Sequence, residues 1–255
     1  MGCHDSAPVG HTRRPVGSHR WEGSIIRRRR LAIPAGLAGL AIVAGACGYS
    51  GPSAATLLQR ARATFDQTTS FHFQLSSQDT PGTGLELTGA VGDALRPDGF
   101  AGTLTVQELG LPLAVKVVST GGGFWVELPF SDDFTKASPS QYGFADPGQL
   151  LNPTSGVSTL LTAAENPSIG SSTRYDGESL QQVDATLPGK EVASLLVDAQ
   201  PSQPVTAVFS IDTGTYQVRE VDLTGPIFEA GHQSTFHVVL DDYGETVSIT
   251  PPAVP

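Results

Sequence analysis

The chain is poor in the residue types that carry out chemistry. Its 255 residues include two cysteines, one methionine, two tryptophans and six histidines. Cys3 precedes a basic run and Cys47 ends an apolar one, so removal of an N-terminal leader leaves a single cysteine. No intrachain disulfide is then possible, even in an oxidising compartment. No Gly-x-Ser-x-Gly elbow occurs, and no cysteine remains as a nucleophile. Lysine and arginine are scarce beyond residue 46: eight, scattered from Arg60 to Arg219, against twenty-three acidic residues, or −15. Phosphate binding needs clustered cations, so nucleic acid is excluded as a partner. An enzyme is not expected, nor a cofactor or a metal.

The basic charge is concentrated in the leader. Residues 1–46 carry seven arginines (13, 14, 20 and 27–30) against Asp5 and Glu22, or +5. Four arginines at 27–30 are followed by 16 uncharged residues, LAIPAGLAGLAIVAGA, and then Cys47. That run is shorter than the ~20 residues of a membrane-spanning helix. A basic region, a short apolar region and a small-residue cleavage site make an export signal. Ala44-Gly45-Ala46-Cys47 resembles the bacterial lipobox, with Ala44 in place of the usual Leu or Val. The resemblance implies diacylglyceryl on the Cys47 thiol, cleavage before Cys47 and a membrane held through lipid, with two acyl chains enough for stable anchoring. Residues 1–26 are expected to be an unstructured extension, 27–46 the signal peptide, 47–53 a tether and 54–255 one domain.

Within the domain, apolar residues at 57, 58, 61 and 65 have helical spacing, with Ser53 as the cap. From Ser70 the period becomes two: Phe71, Phe73 and Leu75; Leu85 and Leu87; Leu104 and Val106; Leu113, Val115 and Val117; Phe124, Val126 and Leu128. These are strands with one buried face, separated by turns such as Pro81-Gly82 and Gly121-Gly122-Gly123. Helical stretches are expected at 146–151, 155–164 and 188–197. Strands resume at 172–175 and 180–187 around Asp176-Gly177, then at 205–211, 218–228, 235–240 and 246–249. The pattern predicts an antiparallel meander of about ten strands with a few helices, an α+β fold.

The remaining candidates for chemistry read as ordinary surface. His72 and His237 lie between apolar strand residues and should face solvent, and no second ligand sits at metal spacing from them or from His232. Asp132-Asp133 and Asp241-Asp242 are adjacent carboxylates, which on a strand point to opposite faces. The three glycines at 121–123 precede a strand, not the helix that a phosphate loop needs.

Residues 132–161, DDFTKASPSQYGFADPGQLLNPTSGVSTLL, together with Tyr175-Asp-Gly177, Ala185-Thr-Leu-Pro-Gly189, Val208-Phe-Ser-Ile-Asp212 and Leu240-Asp-Asp-Tyr-Gly244, resemble the mycobacterial LppX/LprAFG lipoproteins. The order and spacing fit from Ala55 to Pro252. The resemblance implies a single curved antiparallel sheet, a half-barrel similar to periplasmic lipoprotein carriers, with helices over its concave face. It further implies an apolar cavity for acylated lipids or glycolipids, and an inner-membrane lipid exporter as a partner. By alternation the sheet would contribute Phe71, Phe73, Leu113, Val115, Val117, Phe124, Val126, Val205, Ala207 and Phe209 to the cavity wall. The helices would contribute Leu57, Leu58, Phe65, Val157, Leu160 and Leu161, and residues 146–154 would form a flap. The competing reading is a scaffold or adhesion lipoprotein with a filled core. A cavity below about 300 Å³, the low end of ligand pockets, would favour it.

Overall fold

The computed structural model describes residues 51–108, 110–142, 145–196 and 199–254. The expected extension, signal peptide and Cys47 lie outside the described residues.

Helix α1 spans Ala54–Gln67. Its cap is Ser53, whose hydroxyl accepts the Thr56 N–H at 3.2 Å and so satisfies one of the free donors of the first turn. Leu57, Leu58, Ala61 and Phe65 form its buried stripe. The first meander follows: β1 (Ser70–Gln78), β2 (Leu85–Leu95), β3 (Gly99–Glu108), β4 (Leu111–Thr120), β5 (Gly123–Glu127) and the two-residue β6 (Thr135–Lys136). A long connection with 3₁₀ turns at Pro139–Tyr142 and Pro147–Gln149 leads to α2 (Ser158–Ala163). The second meander is β7 (Glu165–Tyr175), β8 (Glu178–Leu187), β9 (Val205–Asp212), β10 (Val218–Gly225) and β11 (Ser234–Asp241), with α3 (Gly189–Ala193) between β8 and β9.

The described residues form eleven strands in one open antiparallel sheet, ordered β6-β5-β4-β3-β2-β1-β11-β10-β9-β8-β7. Each meander is local, and the pairing of β1 with β11 joins them. The inner face carries the core, including Phe71, Phe100, Val117, Val183, Phe209 and Phe236, all nearly inaccessible. The outer face is polar. His72 and His237 lie there half-buried, His72 Nδ1 2.8 Å from Asp93 Oδ1 and His237 Nδ1 2.7 Å from Asp222 Oδ1.

The backbones of β2 and β3 approach most closely at one glycine pair. Gly92 and Gly102 are cross-strand partners in line with Phe73. A Cβ on Gly92 would lie 2.4 Å from the Ala101 carbonyl oxygen, and one on Gly102 2.5 Å from that of Val91. Only glycine permits so close an approach of the two backbones. The Phe100 and Phe73 rings, 5.5 Å apart, pack beside this pair in place of the missing side chains.

Several expectations need correction. Residues 246–249 are not a strand; the tail instead crosses the start of β1, where Gly244 N–H donates to Ser70 O at 2.9 Å. Strand β7 starts at Glu165 rather than 172, because its first residues are exposed, contain Pro167 and show no alternation. The phase at 85–87 is inverted: Leu85 is 39% exposed and Glu86 is 2% exposed, with a register shift between Leu87 and Gly89. The Glu86 carboxylate accepts the Thr83 N–H at 3.1 Å. Leu128 lies past the end of β5 and is exposed. Helix α2 starts at Ser158 rather than 155, because Asn152 Oδ1 accepts the N–H groups of Thr154 and Ser155 and holds them in a turn.

Gly92→Val should place its side chain against the β3 backbone. A loss of about 3 kcal/mol in urea unfolding is expected, at the upper end of overpacking costs.

Candidate functional site

The rows of the inner face nearest the β1–β11 junction stay open beneath the helices. Leu75, Val238, Val221 and Phe209 form one row across β1, β11, β10 and β9. Phe73 with Leu240, and Phe236 with Leu223, flank it. These residues, with Phe71 and Val218, make the floor of a cavity. Its roof is Phe65 of α1, Leu150, Val157, Ser158, Leu160 and Leu161 in and before α2, and Val192, Leu195 and Leu196 in and after α3. The cavity volume is about 180 Å³. Among the described residues Ser158 is the one polar liner, and its hydroxyl donates to Asp66 Oδ1 at 2.7 Å.

Aromatic rings cluster at one end. Phe65 and Phe71 lie 5.2 Å apart, with Tyr243 6.5 Å from Phe65 and 6.1 Å from Phe71. The Tyr243 hydroxyl donates to Val218 O at 2.5 Å. Burial pushes its pKa far above the ordinary tyrosine value, against the pull of Arg219. The Arg219 guanidinium lies 5.5 Å from the Tyr243 ring and donates to both Glu178 carboxylate oxygens, which raise its pKa. In the β9–β10 turn, burial pushes the Asp212 carboxyl up. Hydrogen bonds from the Thr215 hydroxyl, Gly214 N–H and Thr215 N–H, with the charge of Arg219, outweigh that and leave it below 3.8.

The roof is tied down by two arginines. Arg62 of α1 donates to Thr162 of α2, to Pro153 O at 3.1 Å and to Asp66 at 3.4 Å. Arg96 donates to Thr68 O at 2.6 Å and Phe65 O at 3.1 Å, which caps the end of α1, and also to Leu151 O. Asp146 accepts from Ser119 Oγ at 2.6 Å and Gly148 N at 2.9 Å. The segment expected as a flap, 146–154, is thus pinned to the sheet and to α1.

Of the expected wall residues, the structure places Phe65, Phe71, Phe73, Val157, Leu160, Leu161 and Phe209 around the cavity. Leu57, Leu58, Leu113, Val115, Val117, Phe124, Val126, Val205 and Ala207 do not line it. Leu57 and Leu58 lie in the half of α1 remote from Phe65 and are fully packed. Those on β4 and β5 belong to the half of the sheet on which the 147–149 turn packs. Val205 and Ala207 share the face of Phe209 but lie nearer the start of β9, where they are buried. Alternation identifies the inner face but not what covers it. The floor residues of β10 and β11 were missed because their position depends on β1 pairing with the last strand, which no local pattern announces. Val192, Leu195 and Leu196 carried a signal in their helical apolar spacing.

The other sequence features are surface turns. Gly121 and Gly122, at φ 58° and 71°, form the β4–β5 turn. Asp132 and Asp133 are exposed, and Asp242 follows β11 in a left-handed turn. Among the described residues no three of His, Cys, Asp or Glu converge to hold a metal, and no helix is long and apolar enough to cross a membrane.

A model of the LppX_LprAFG lipoproteins matches residues 53–249, the whole sheet with its covering helices. The chain belongs to the LppX_LprAFG lipoprotein family. A relative in Mycobacterium tuberculosis, the lipoarabinomannan carrier protein LprG, is 22% identical over 244 residues, 89% of this chain and 96% of that protein. The crystal structure of LprF from Mycobacterium bovis matches with a TM-score of 0.66 at 18% identity, covering 81% of this chain and all of the other. That of Mycobacterium tuberculosis LppX gives 0.56 at 18% identity, covering 77% and 97%. At these identities the solved structures establish the fold, the open antiparallel sheet with helices on one face.

For this family member, acid should act through Asp212. Its folded carboxyl holds a proton less tightly than in the unfolded chain, so its stabilisation is complete above the ordinary value and is lost as pH falls through the folded value. The melting temperature should therefore fall between about pH 5 and pH 3, and Asp212→Asn should flatten that slope in a thermal melt.

Proposed function

We propose that this protein is an exported lipoprotein, anchored to the outer face of the cell membrane through acylated Cys47, that takes acyl chains of lipids or glycolipids between its sheet and its helices and helps carry them across the cell envelope. An inner-membrane exporter that delivers the lipid is the partner this role calls for. The supporting observation is an apolar cavity, floored by β1, β9, β10 and β11 and roofed by three helices, in a member of a lipoprotein family. A relative named as a lipoarabinomannan carrier supports the same reading.

The cavity volume, about 180 Å³, is below 300 Å³ and taken alone favours the scaffold reading. Energetics favour the carrier. At ~24 cal/mol per Å³, a cavity this size left unfilled costs about 4 kcal/mol. Whole domains are stable by only ~5–15 kcal/mol. A scaffold gains nothing from such a cost. A carrier recovers about 0.8 kcal/mol for each methylene of cargo it buries.

Organic extraction of the protein purified without detergent, followed by mass spectrometry, should yield lipid. Absence of co-purified lipid, together with no uptake of added lipid or glycolipid, would sink the proposal. Val115 and Ala207 are packed core and unsuitable for a blocking substitution, whereas Val221 is partly exposed on the cavity floor. Val221→Trp should cut loading about tenfold or more while leaving circular dichroism unchanged. Cys47→Ala should move the protein from the membrane to the soluble fraction. A variant that stays fully membrane-bound would count against acylation.

A further inference from the structure

We infer that one end of the sheet carries a second membrane contact: an apolar rim, led by Phe130 and Leu111, that inserts into a bilayer surface with uncharged or zwitterionic head groups. This rests on the anchored reading above, which supplies the tether. Among the described residues seven large apolar side chains are exposed, and four of them, Leu85, Leu111, Leu128 and Phe130, gather at that end. Leu85 opens β2, in line with Glu108 at the end of β3 and Leu111 at the start of β4. Leu128 and Phe130 lie in the β5–β6 hairpin loop, at the same end of the sheet. Single exposed apolar residues are ordinary, but four on neighbouring strand ends mark a contact surface.

The backbone singles out Phe130. Ser131 N–H donates to Leu128 O at 3.1 Å and closes a turn with Pro129 and Phe130 at its centre. Phe130 has φ 68°, the left-handed conformation that such a turn leaves to glycine or asparagine. Its ring is fully exposed. In water this side chain strains the turn and buries nothing. In a bilayer interface the whole ring is buried.

Two observations name the occupant. Residues 47–53 separate the acylated cysteine from α1, and fully extended they span at most ~25 Å. The domain is therefore always within that distance of a bilayer, and a tether this short lets a weak contact be populated. The charges at the rim then choose the lipid. Glu108, Asp132 and Asp133 are exposed beside it, against Lys136. An anionic surface repels this arrangement, whereas a neutral one leaves the apolar side chains free to insert.

The test uses the exported Cys47→Ala protein, so that no acyl anchor contributes, in flotation with vesicles at high lipid concentration. Phosphatidylcholine vesicles are compared with vesicles of phosphatidylcholine and phosphatidylglycerol, at low and high salt. The protein should float with the first and less with the second at low salt, and high salt should close the gap. Phe130→Ser and Leu111→Ser should each lower the partition about tenfold. Val254→Ser, exposed but in the C-terminal tail, should leave it unchanged. Phe130→Gly separates insertion from a structural role: it should raise the melting temperature, by relaxing the turn, while lowering the partition about tenfold. A ring needed for folding would lower the melting temperature instead. Failure to float with either vesicle, an unchanged partition in the Phe130→Ser, Leu111→Ser double variant, or tighter binding to the phosphatidylglycerol vesicles overturns the inference. So does a dimer in sedimentation equilibrium that Phe130→Ser dissociates, since a second copy then covers the rim. None of these outcomes touches the carrier reading, which stands or falls on the extracted lipid and on fractionation of the acylated protein.

Discussion

The apolar face of an eleven-stranded sheet has to be kept from water by helices of 14, 6 and 5 residues and one long connection. Most of the rest follows from that disproportion. Over β3 and β4 the connection lies directly on the sheet through the turn at 147–149, and the core there is filled. Over β1, β11 and β10 the helices bridge from α1 to α3, and the floor beneath them is left partly uncovered. A roof supported at its margins and pinned by arginines keeps its height. Arg62 and Arg96 each reach backbone carbonyls on segments distant in sequence.

The polar groups near the cavity are arranged to keep it apolar. Asp66 takes the hydrogen of Ser158, Val218 O takes that of Tyr243, and Glu178 neutralises Arg219 where it lies against the Tyr243 ring. Each of these groups would otherwise hold water at the wall. The polar network thus works on the outside of the cavity, where a binding pocket for a charged ligand would turn it inwards.

Much of the fold was legible in the sequence because antiparallel meanders are local. The period-two pattern from Phe71 to Phe124, the Ser53 cap and the turns at 121–123 and 176–177 each record a decision made within a few residues. The misreadings share one cause. Glu86 is buried because a register shift inverts the pattern, the start of β7 lies at an exposed edge with Pro167, and the 246–249 stretch alternates without a neighbour to pair with. The cavity was half legible for the same reason. Phe71, Phe73 and Phe65 were found from local periodicity, whereas Leu223, Phe236 and Val238 reach the floor through a pairing between the two ends of the domain.

That pairing has a consequence for the order of events during folding. The cavity floor draws on β1, near the beginning of the domain, and on β10 and β11, at its end. The first meander can form as soon as its strands emerge, but it contains only one edge of the floor. No part of the chain short of β11 presents the complete cavity floor, and non-local pairing is the slow kind of contact. A chain whose last strand has not yet paired therefore lacks the cavity. The floor is completed last, when β11 meets β1.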